Sequence, residues 1–374
     1  MIPGPLDRVP LASVRRVLVT KLRHHGDVLL ASPVVSTLKR ALPDSEVDAL
    51  VYAETAPMLA NHPALSTLHT IDRNWKRIGP LRQLREELRL LATLRKRRYD
   101  LLVHLTEHPR GLTLAALVRP RFSVTRERRA GEHAWLWRRA FTHFYPLPKD
   151  RPRHTVELNL DALRRIGIQP TPADKRLTLE PGRDAQSRVD ALLGERSIAT
   201  RSFVQIHPGS RWLFKSWPAG RMASLIERLA RAGQTVVITG AADDRERALI
   251  DVTLAALPDD CRASVHDIAG RLTLAELPAL TRRARLFIGV DSAPMHVAAA
   301  VGTPVVALFG PSAESEWGPW GVTHRVVAAN EYPCRPCRND GCGGGKVSDC
   351  LTHLSVDRVM ASVDALLAPA ESPH

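Results

Sequence analysis

Short apolar, β-branched runs recur along this chain, each followed by a stretch whose apolar positions repeat every three or four residues. The first pattern marks buried strands and the second marks helices lying on them. Val14 to Leu22 reads as a strand, Arg23-His24-His25-Gly26-Asp27 as a loop, and Val28 to Ala41 as a helix stopped by Pro43. Val47 to Tyr52 is a second strand. A basic helix from Leu81 to Arg97, a strand at Asp100 to Leu105, a helix over Gly111 to Val118 and a short strand at Phe122 to Thr125 continue the alternation. Strands separated by helices imply a parallel sheet covered on both faces, so residues 1–180 are expected to form one doubly wound domain. A polar, proline-containing stretch from Pro170 to Pro181 interrupts the pattern. It restarts with strands at Phe203 to His207, Thr235 to Thr239, Leu286 to Val290 and Val305 to Phe309, predicting a second such domain over 181–355. Val356 to Leu367 has helical spacing and opens a terminal segment, 356–374, expected to pack back across the domains. Ligands of open parallel sheets sit beyond the carboxyl ends of the strands, so two facing α/β domains would set their loops around one interdomain cleft.

Composition narrows the class. At 374 residues the chain exceeds one typical domain. Its 44% hydrophobic and 25% charged content is that of a soluble globular protein, and no stretch is apolar for long enough to cross a bilayer. Met1 to Ala12 has no apolar core followed by a small-residue cleavage site, so no export signal and a cytoplasmic location are expected. Lys and Arg outnumber Asp and Glu by 53 to 39, a formal charge of +14, concentrated in Arg82 to Arg98 and Arg119 to Arg139. Part of that excess suits a solvated surface. The rest calls for a negative partner: nucleic acid, an anionic membrane face or a phosphorylated small substrate. Zinc-finger spacing, an aromatic-rich strand signature and a recognition helix are all missing, so nucleic acid is not expected.

The chemistry-bearing residues cluster where strands end. Val290-Asp291-Ser292-Ala293-Pro294-Met295-His296 joins an apolar strand directly to a small-residue helix that Gly302 stops. With Asp291 or Ser292 as N-cap, the helix would present free N–H groups and a partial positive charge to a phosphate, with Ser292 and His296 beside it. The same residues also suit a plain packing unit. Lys21 ends the first strand, and Gly26 permits a tight turn before Asp27 at a helix start. There Asp27 either favours the helix start or acts as a base, although the helix dipole stabilises its ionised form and weakens it in that role.

His207-Pro208-Gly209-Ser210-Arg211-Trp212-Leu213-Phe214-Lys215-Ser216-Trp217-Pro218 combines a flexible backbone with hydroxyl and cationic donors, which suits a diphosphate. Lys215 and Ser210 could neutralise charge building on a leaving nucleoside diphosphate without a metal. Arg211 and Trp217 read more simply as packing residues. No Walker-type Gly-Lys-Ser/Thr run and no dinucleotide glycine fingerprint follows a strand, which lowers ATPase and dehydrogenase readings. Gly240-Ala241-Ala242-Asp243-Asp244 follows another strand, and Asp243 could bind ribose hydroxyls or cap a helix. Cys334-x2-Cys337-x4-Cys342-x7-Cys350 lies in a glycine-rich segment, 334–350, and has metal-ligand spacing. Four thiolates so close together suggest structural zinc, or a single iron in a sulfur site, more than disulfides, with a redox or unliganded cluster as the alternative. Cys261 stands apart and should be buried.

Lys21-Leu22-Arg23-His24-His25-Gly26-Asp27, the Phe214-Lys215-Ser216-Trp217 loop and Phe287 to His296 together resemble glycosyltransferase family 9, the ADP-heptose:lipopolysaccharide heptosyltransferases. The resemblance spans nearly the whole chain, and the Arg-His-His-Gly-Asp loop with Asp-Ser-Ala-Pro-x-His is most similar to the heptosyltransferase III branch. It implies a GT-B fold of two Rossmann-like domains, 1–180 binding the acceptor and 181–355 binding ADP-heptose, and an inverting transfer needing no metal or other cofactor in catalysis. By matching motif, Asp27 would be the general base and Lys215 a diphosphate contact. Asp291, Ser292 and His296 would belong to the nucleotide-sugar site, with Lys21, Gly26, Ser210 and Asp243 as further substrate-binding positions. The implied partners are ADP-heptose, the lipopolysaccharide inner core and the anionic inner-membrane surface, contacted from the N-terminal domain by residues such as Arg126, Arg129, Arg138 and Arg139. Other branches carry small hydroxyl residues where His24 and His25 stand, which leaves the acceptor open. A heptosyltransferase for another core position or for a protein remains an alternative, and a basic nucleic-acid-binding protein with a structural metal is the rival from another class. The cysteine cluster occurs in only some family members, and so reads as a fold staple.

Overall fold

A computed structural model describes residues 7–127, 134–146 and 152–368. The chain divides into two compact units, Met1–Leu179 and Glu180–His374. Each contains a six-stranded, all-parallel sheet with helices on it.

In chain order the first unit holds β1 (Arg16–Thr20), α1 (His25–Leu29), α2 (Ser32–Ala41), β2 (Glu46–Tyr52), β3 (Thr67–Ile71) and α3 (Pro80–Arg97). It continues with β4 (Leu101–His104), α4 (Arg110–Val118), β5 (Phe122–Arg126), α5 (Ala134–Ala140), β6 (His143–Tyr145) and α6 (Thr155–Arg165). The strand order is β3-β2-β1-β4-β5-β6. The central strands β1 and β4 are buried almost throughout, as expected for strands covered on both faces. Leu18, Leu50, Leu102, Leu114 and Trp137 meet in one core cluster of this unit.

The expected single helix from Val28 to Ala41 is two helices, α1 and α2, meeting just before Pro33. Proline has no N–H to return to Leu29 and its ring crowds that carbonyl, so the helical ladder breaks and restarts with Pro33 in its first turn. Gly26 accordingly lies inside α1, not in a tight turn ahead of it.

The second unit runs α7 (Arg183–Gly194), β7 (Phe203–His207), α8 (Ala219–Arg231), β8 (Thr235–Ile238), α9 (Asp244–Ala255), β9 (Val265–Asp267) and α10 (Leu277–Arg283). It closes with β10 (Leu286–Val290), α11 (Ala293–Ala300), β11 (Val305–Phe309), α12 (Glu314–Trp317), β12 (His324–Ala328), α13 (Asp349–Thr352) and α14 (Val356–Leu367). Its strand order is β12-β11-β10-β7-β8-β9. On α8, Met222, Ala223, Leu225, Ile226 and Leu229 form one buried stripe at helical spacing, packed on Val204, Ile206 and Ile238 of the sheet. Val359 and Val363 place α14 in the same core, against α8 and β12, rather than as an appendage. The order of strands sets β10 beside β7, pairing Gly289 with His207, so loops distant in sequence leave the sheet side by side.

Candidate active site

The junction after β10 and the loop after β7 meet through an ion pair. Lys215 ends a short 3-10 turn, Leu213–Lys215, and its Nζ donates to Asp291 Oδ2 at 2.6 Å. The lysine side chain is 22% exposed and the aspartate 8%, so the pair is largely shielded yet open on the lysine side. Asp291 therefore does not cap α11. Ser292 is the N-cap, but its side chain makes no capping bond. Its hydroxyl is buried and has no hydrogen-bond partner among the described residues. The first turn of α11 thus keeps donors that its own cap leaves unused, and His296 lies buried one turn further on.

A cavity of about 340 Å³ opens on the same loop, lined by Ser210, Arg211, Leu213, Ala241, Asp243, Arg245 and Glu246. Asp243 is the N-cap of α9, its Oδ1 accepting from the N–H groups of Arg245 and Glu246 at 3.1 and 3.3 Å. Capping occupies one of its oxygens while the residue still forms part of the cavity wall. Glu246 escaped the sequence reading. Its Oε2 accepts from the Ala241 N–H at 2.8 Å and lies 3.5 Å from His207 Nε2. Burial works to raise the Glu246 carboxyl, but the His207 ring and the Ala241 N–H outweigh it and hold it below the ordinary carboxylate range. Gly209 permits this placement: a Cβ there would sit 2.9 Å from Glu246 Cγ and Cδ. The signal for Glu246 was available as the Asp-x-x-Glu spacing from Asp243, a capping-box pattern at a helix start.

The structure does not confirm a structural metal at the four clustered cysteines. Among the described residues no three His, Cys, Asp or Glu side chains are grouped to hold a metal ion. Cys334 and Cys342 are exposed, Cys337 is half-buried and Cys350 is buried. The segment is tied down by other bonds. Arg335 donates to Gly310 O at 2.7 Å and Asn330 Oδ1 at 2.8 Å, and the Ser348 hydroxyl donates to Phe214 O at 2.6 Å. These hold the segment against the Lys215 loop, where burial, chiefly, together with the neighbouring Cys342, Cys337 and Cys334, pushes the Cys350 thiol up. Trp217 is buried, with its ring N–H on Leu354 O, and Cys261 is buried as well.

In the first unit, Lys21 is buried at the end of β1, its Nζ donating to Leu105 O and Asn159 Oδ1, both at 3.1 Å. Asn159 in turn donates to Leu30 O at 2.9 Å, tying the strand end to the break between α1 and α2. Burial pulls the Lys21 ammonium down to about 8, and the neighbouring Asp27 carboxylate is the strongest influence opposing it. Asp27 is half-buried in the first turn of α1, and no basic side chain forms an ion pair with it among the described residues. His25 Nε2 donates to Glu54 O at 2.9 Å, while His24 is the N-cap of α1 without a side-chain capping bond. Arg126 pairs with Glu107 at 2.8 Å, and Arg138 and Arg139 are exposed in the last turn of α5. Arg129 lies outside the described residues.

Two doubly wound units, each with a six-stranded parallel sheet, make up a GT-B fold. Residues 87–347 match glycosyltransferase family 9 (heptosyltransferase). Lipopolysaccharide heptosyltransferase 3 of Escherichia coli K12 is 32% identical over 355 residues, covering 94% of this chain and 98% of its own. A family 9 glycosyl transferase from Veillonella parvula matches with a TM-score of 0.78 at 22% identity, over 94% of this chain and 97% of that one. ADP-heptose lps heptosyltransferase II of Escherichia coli matches with a TM-score of 0.74 at 22% identity, over 94% and 98%. The chain belongs to glycosyltransferase family 9, the heptosyltransferases.

Proposed function

We propose that this protein transfers a heptose from ADP-heptose to the inner core of lipopolysaccharide, as a heptosyltransferase of the third type, with inversion at the anomeric carbon. The observation that carries the donor assignment is the Lys215–Asp291 pair at the start of α11, on the loop that also walls the cavity. A diphosphate entering there meets the Lys215 cation, the Ser292 hydroxyl and the α11 N-terminus, and the cavity bordered by Ser210, Asp243 and Glu246 takes the nucleoside. The names of the relatives support heptose and lipopolysaccharide as the chemistry.

Asp27 accepts the proton of the acceptor hydroxyl as its oxygen attacks the anomeric carbon. The bond from that carbon to the diphosphate breaks, and ADP departs with the electron pair. Lys215 and the α11 N-terminus stabilise the departing charge. One displacement inverts the centre. The Lys21 ammonium, held by Leu105 O and Asn159, stays near Asp27 and interacts with its charge without forming an ion pair with it. No described helix is long and apolar enough to cross a membrane. The protein works as a peripheral enzyme at the anionic cytoplasmic face of the inner membrane. Incubation with ADP-heptose and lipid-free core oligosaccharide lacking the side-branch heptose tests the reading. Release of ADP with one added heptose of inverted configuration, seen by mass spectrometry and NMR, is expected, and absence of transfer overturns it.

A further inference from the structure

Helix α3 has two apolar faces, and the fold accounts for one. Leu94 is fully buried and Leu90 and Leu91 pack on the core of the first unit. On a different face, Leu81, Leu84 and Leu88 stand three and four residues apart and so share one stripe. They are 83%, 54% and 54% exposed. Ile78, just ahead of the helix, is exposed as well. Scattered surface leucines need no explanation, but three in register on one helix face do.

One flank of the stripe is cationic, while on the other Glu87 is neutralised by Arg110. Successive helical residues turn by about 100°, which places Arg85, Arg89, Arg82 and Lys96 along one flank of the leucines and Arg95 in line with them. All five are exposed. Arg89 pairs with Glu86 at 2.9 Å. Arg82, Arg85, Arg95 and Lys96 form no ion pair among the described residues. Lys76 and Arg77, on the turn leading into α3, extend the cationic border. Leucines edged by unpaired arginines are the composition of a helix that lies in a bilayer interface, with its apolar side chains among the acyl boundary and its cations on lipid phosphates. A protein groove would instead be met by a polar rim of mixed sign.

We infer that the outer face of α3, from Leu81 to Lys96, is a docking surface for an anionic phospholipid bilayer. The inference rests on the peripheral reading above and assigns it to this helix rather than to Arg126, Arg138 and Arg139. Docking through α3 holds the enzyme at the surface that carries its acceptor, while the leucines take no part in catalysis.

The test is co-sedimentation of the full-length protein with vesicles of phosphatidylcholine alone or mixed with phosphatidylglycerol, alongside transfer to lipid-free oligosaccharide. Wild-type protein should bind the mixed vesicles and not the neutral ones. Leu84→Glu/Leu88→Glu and Arg82→Glu/Arg85→Glu should each weaken that binding by about tenfold or more, with melting temperature and lipid-free transfer unchanged. Wild-type protein that ignores anionic vesicles overturns the membrane partner itself. Binding that survives both double substitutions overturns the assignment to α3, and equal binding to neutral vesicles overturns the role of its cations. A change of oligomeric state in the leucine variant, with vesicle binding intact, makes the stripe a contact between copies and overturns the inference. Failure of wild-type transfer to lipid-free acceptor breaks the proposed reaction and is read separately from the vesicles.

Discussion

Each unit places a lysine and an aspartate near the carboxyl ends of its strands, and the two arrangements work in opposite ways. In the second unit Lys215 holds Asp291 directly, at 2.6 Å, with the lysine end open. In the first, Lys21 is buried and bonded to Leu105 O and Asn159, and Asp27 stays outside any ion pair among the described residues. A lysine held by a neighbouring carboxylate is already oriented, and an incoming anion must compete with that carboxylate for it. A carboxylate that only senses a buried cation keeps its lone pairs for a proton. In the proposed reaction the same two residue types serve as a diphosphate clamp in one unit and a base in the other, and the difference lies in whether the lysine reaches its aspartate, or a carbonyl and an amide instead.

Asp27→Asn should break the first-unit arrangement with the largest effect, lowering kcat by roughly a hundred- to ten-thousand-fold. ADP affinity by calorimetry should be unchanged, and turnover near wild type would remove Asp27 from the base role. Lys215→Met should act on the other side of the comparison. It leaves the Asp291 charge shielded and unpaired, and ADP affinity should fall by about a hundredfold, the scale of a lost charge-assisted bond. Full ADP affinity in that variant would show that the clamp lies elsewhere.

The units should also differ in acid. His62 and His104, both in the first unit, are buried, and burial pulls them down to about 4 and about 3. Below pH 6.5 the unfolded chain takes up protons that the folded histidines refuse, so first-unit stability falls as pH drops, until each folded value is reached. For His62 the loss approaches roughly 3 kcal/mol at pH 4. Hydrogen exchange followed from pH 7 to 4 should open first-unit amides before those of the second, and simultaneous opening would contradict this. The smallest expected effect is Asn159→Leu, which removes an acceptor from Lys21 Nζ and a donor from Leu30 O. It should cost about 2 kcal/mol in denaturant unfolding and leave ADP affinity untouched. No change in stability would mean that water replaces both bonds.

Much of this was legible because buried strands are written as continuous apolar runs. Phe203 to His207, Leu286 to Val290 and Val305 to Phe309 needed no correction. The four strands the periodicity missed, β3, β6, β9 and β12, are the four sheet edges. Edge strands are half-covered and short, so polar residues such as His266 and Asp267 of β9 or His324 and Arg325 of β12 dilute the signal. Site residues followed the same logic. Asp27, Lys215 and Asp291 were visible because each sits where a strand gives way to a helix or turn. That Lys215 meets Asp291 was not visible, because it depends on β7 and β10 being neighbours in the sheet. The cysteine spacing marked a cluster, and Cys334, Cys337 and Cys342 do act on Cys350, but the anchoring of that segment by Arg335 and Ser348 was not visible in it.

Gly209 and Glu246 carry a consequence for how this protein can vary. Because the Glu246 carboxyl occupies the space a side chain at 209 would need, the two positions share one volume. Any lineage that enlarges residue 209 must shorten or displace residue 246 at the same time, and one that loses the glutamate frees the glycine to drift. Enlarging residue 209 alone would therefore push the Glu246 carboxyl off the Ala241 N–H and away from His207.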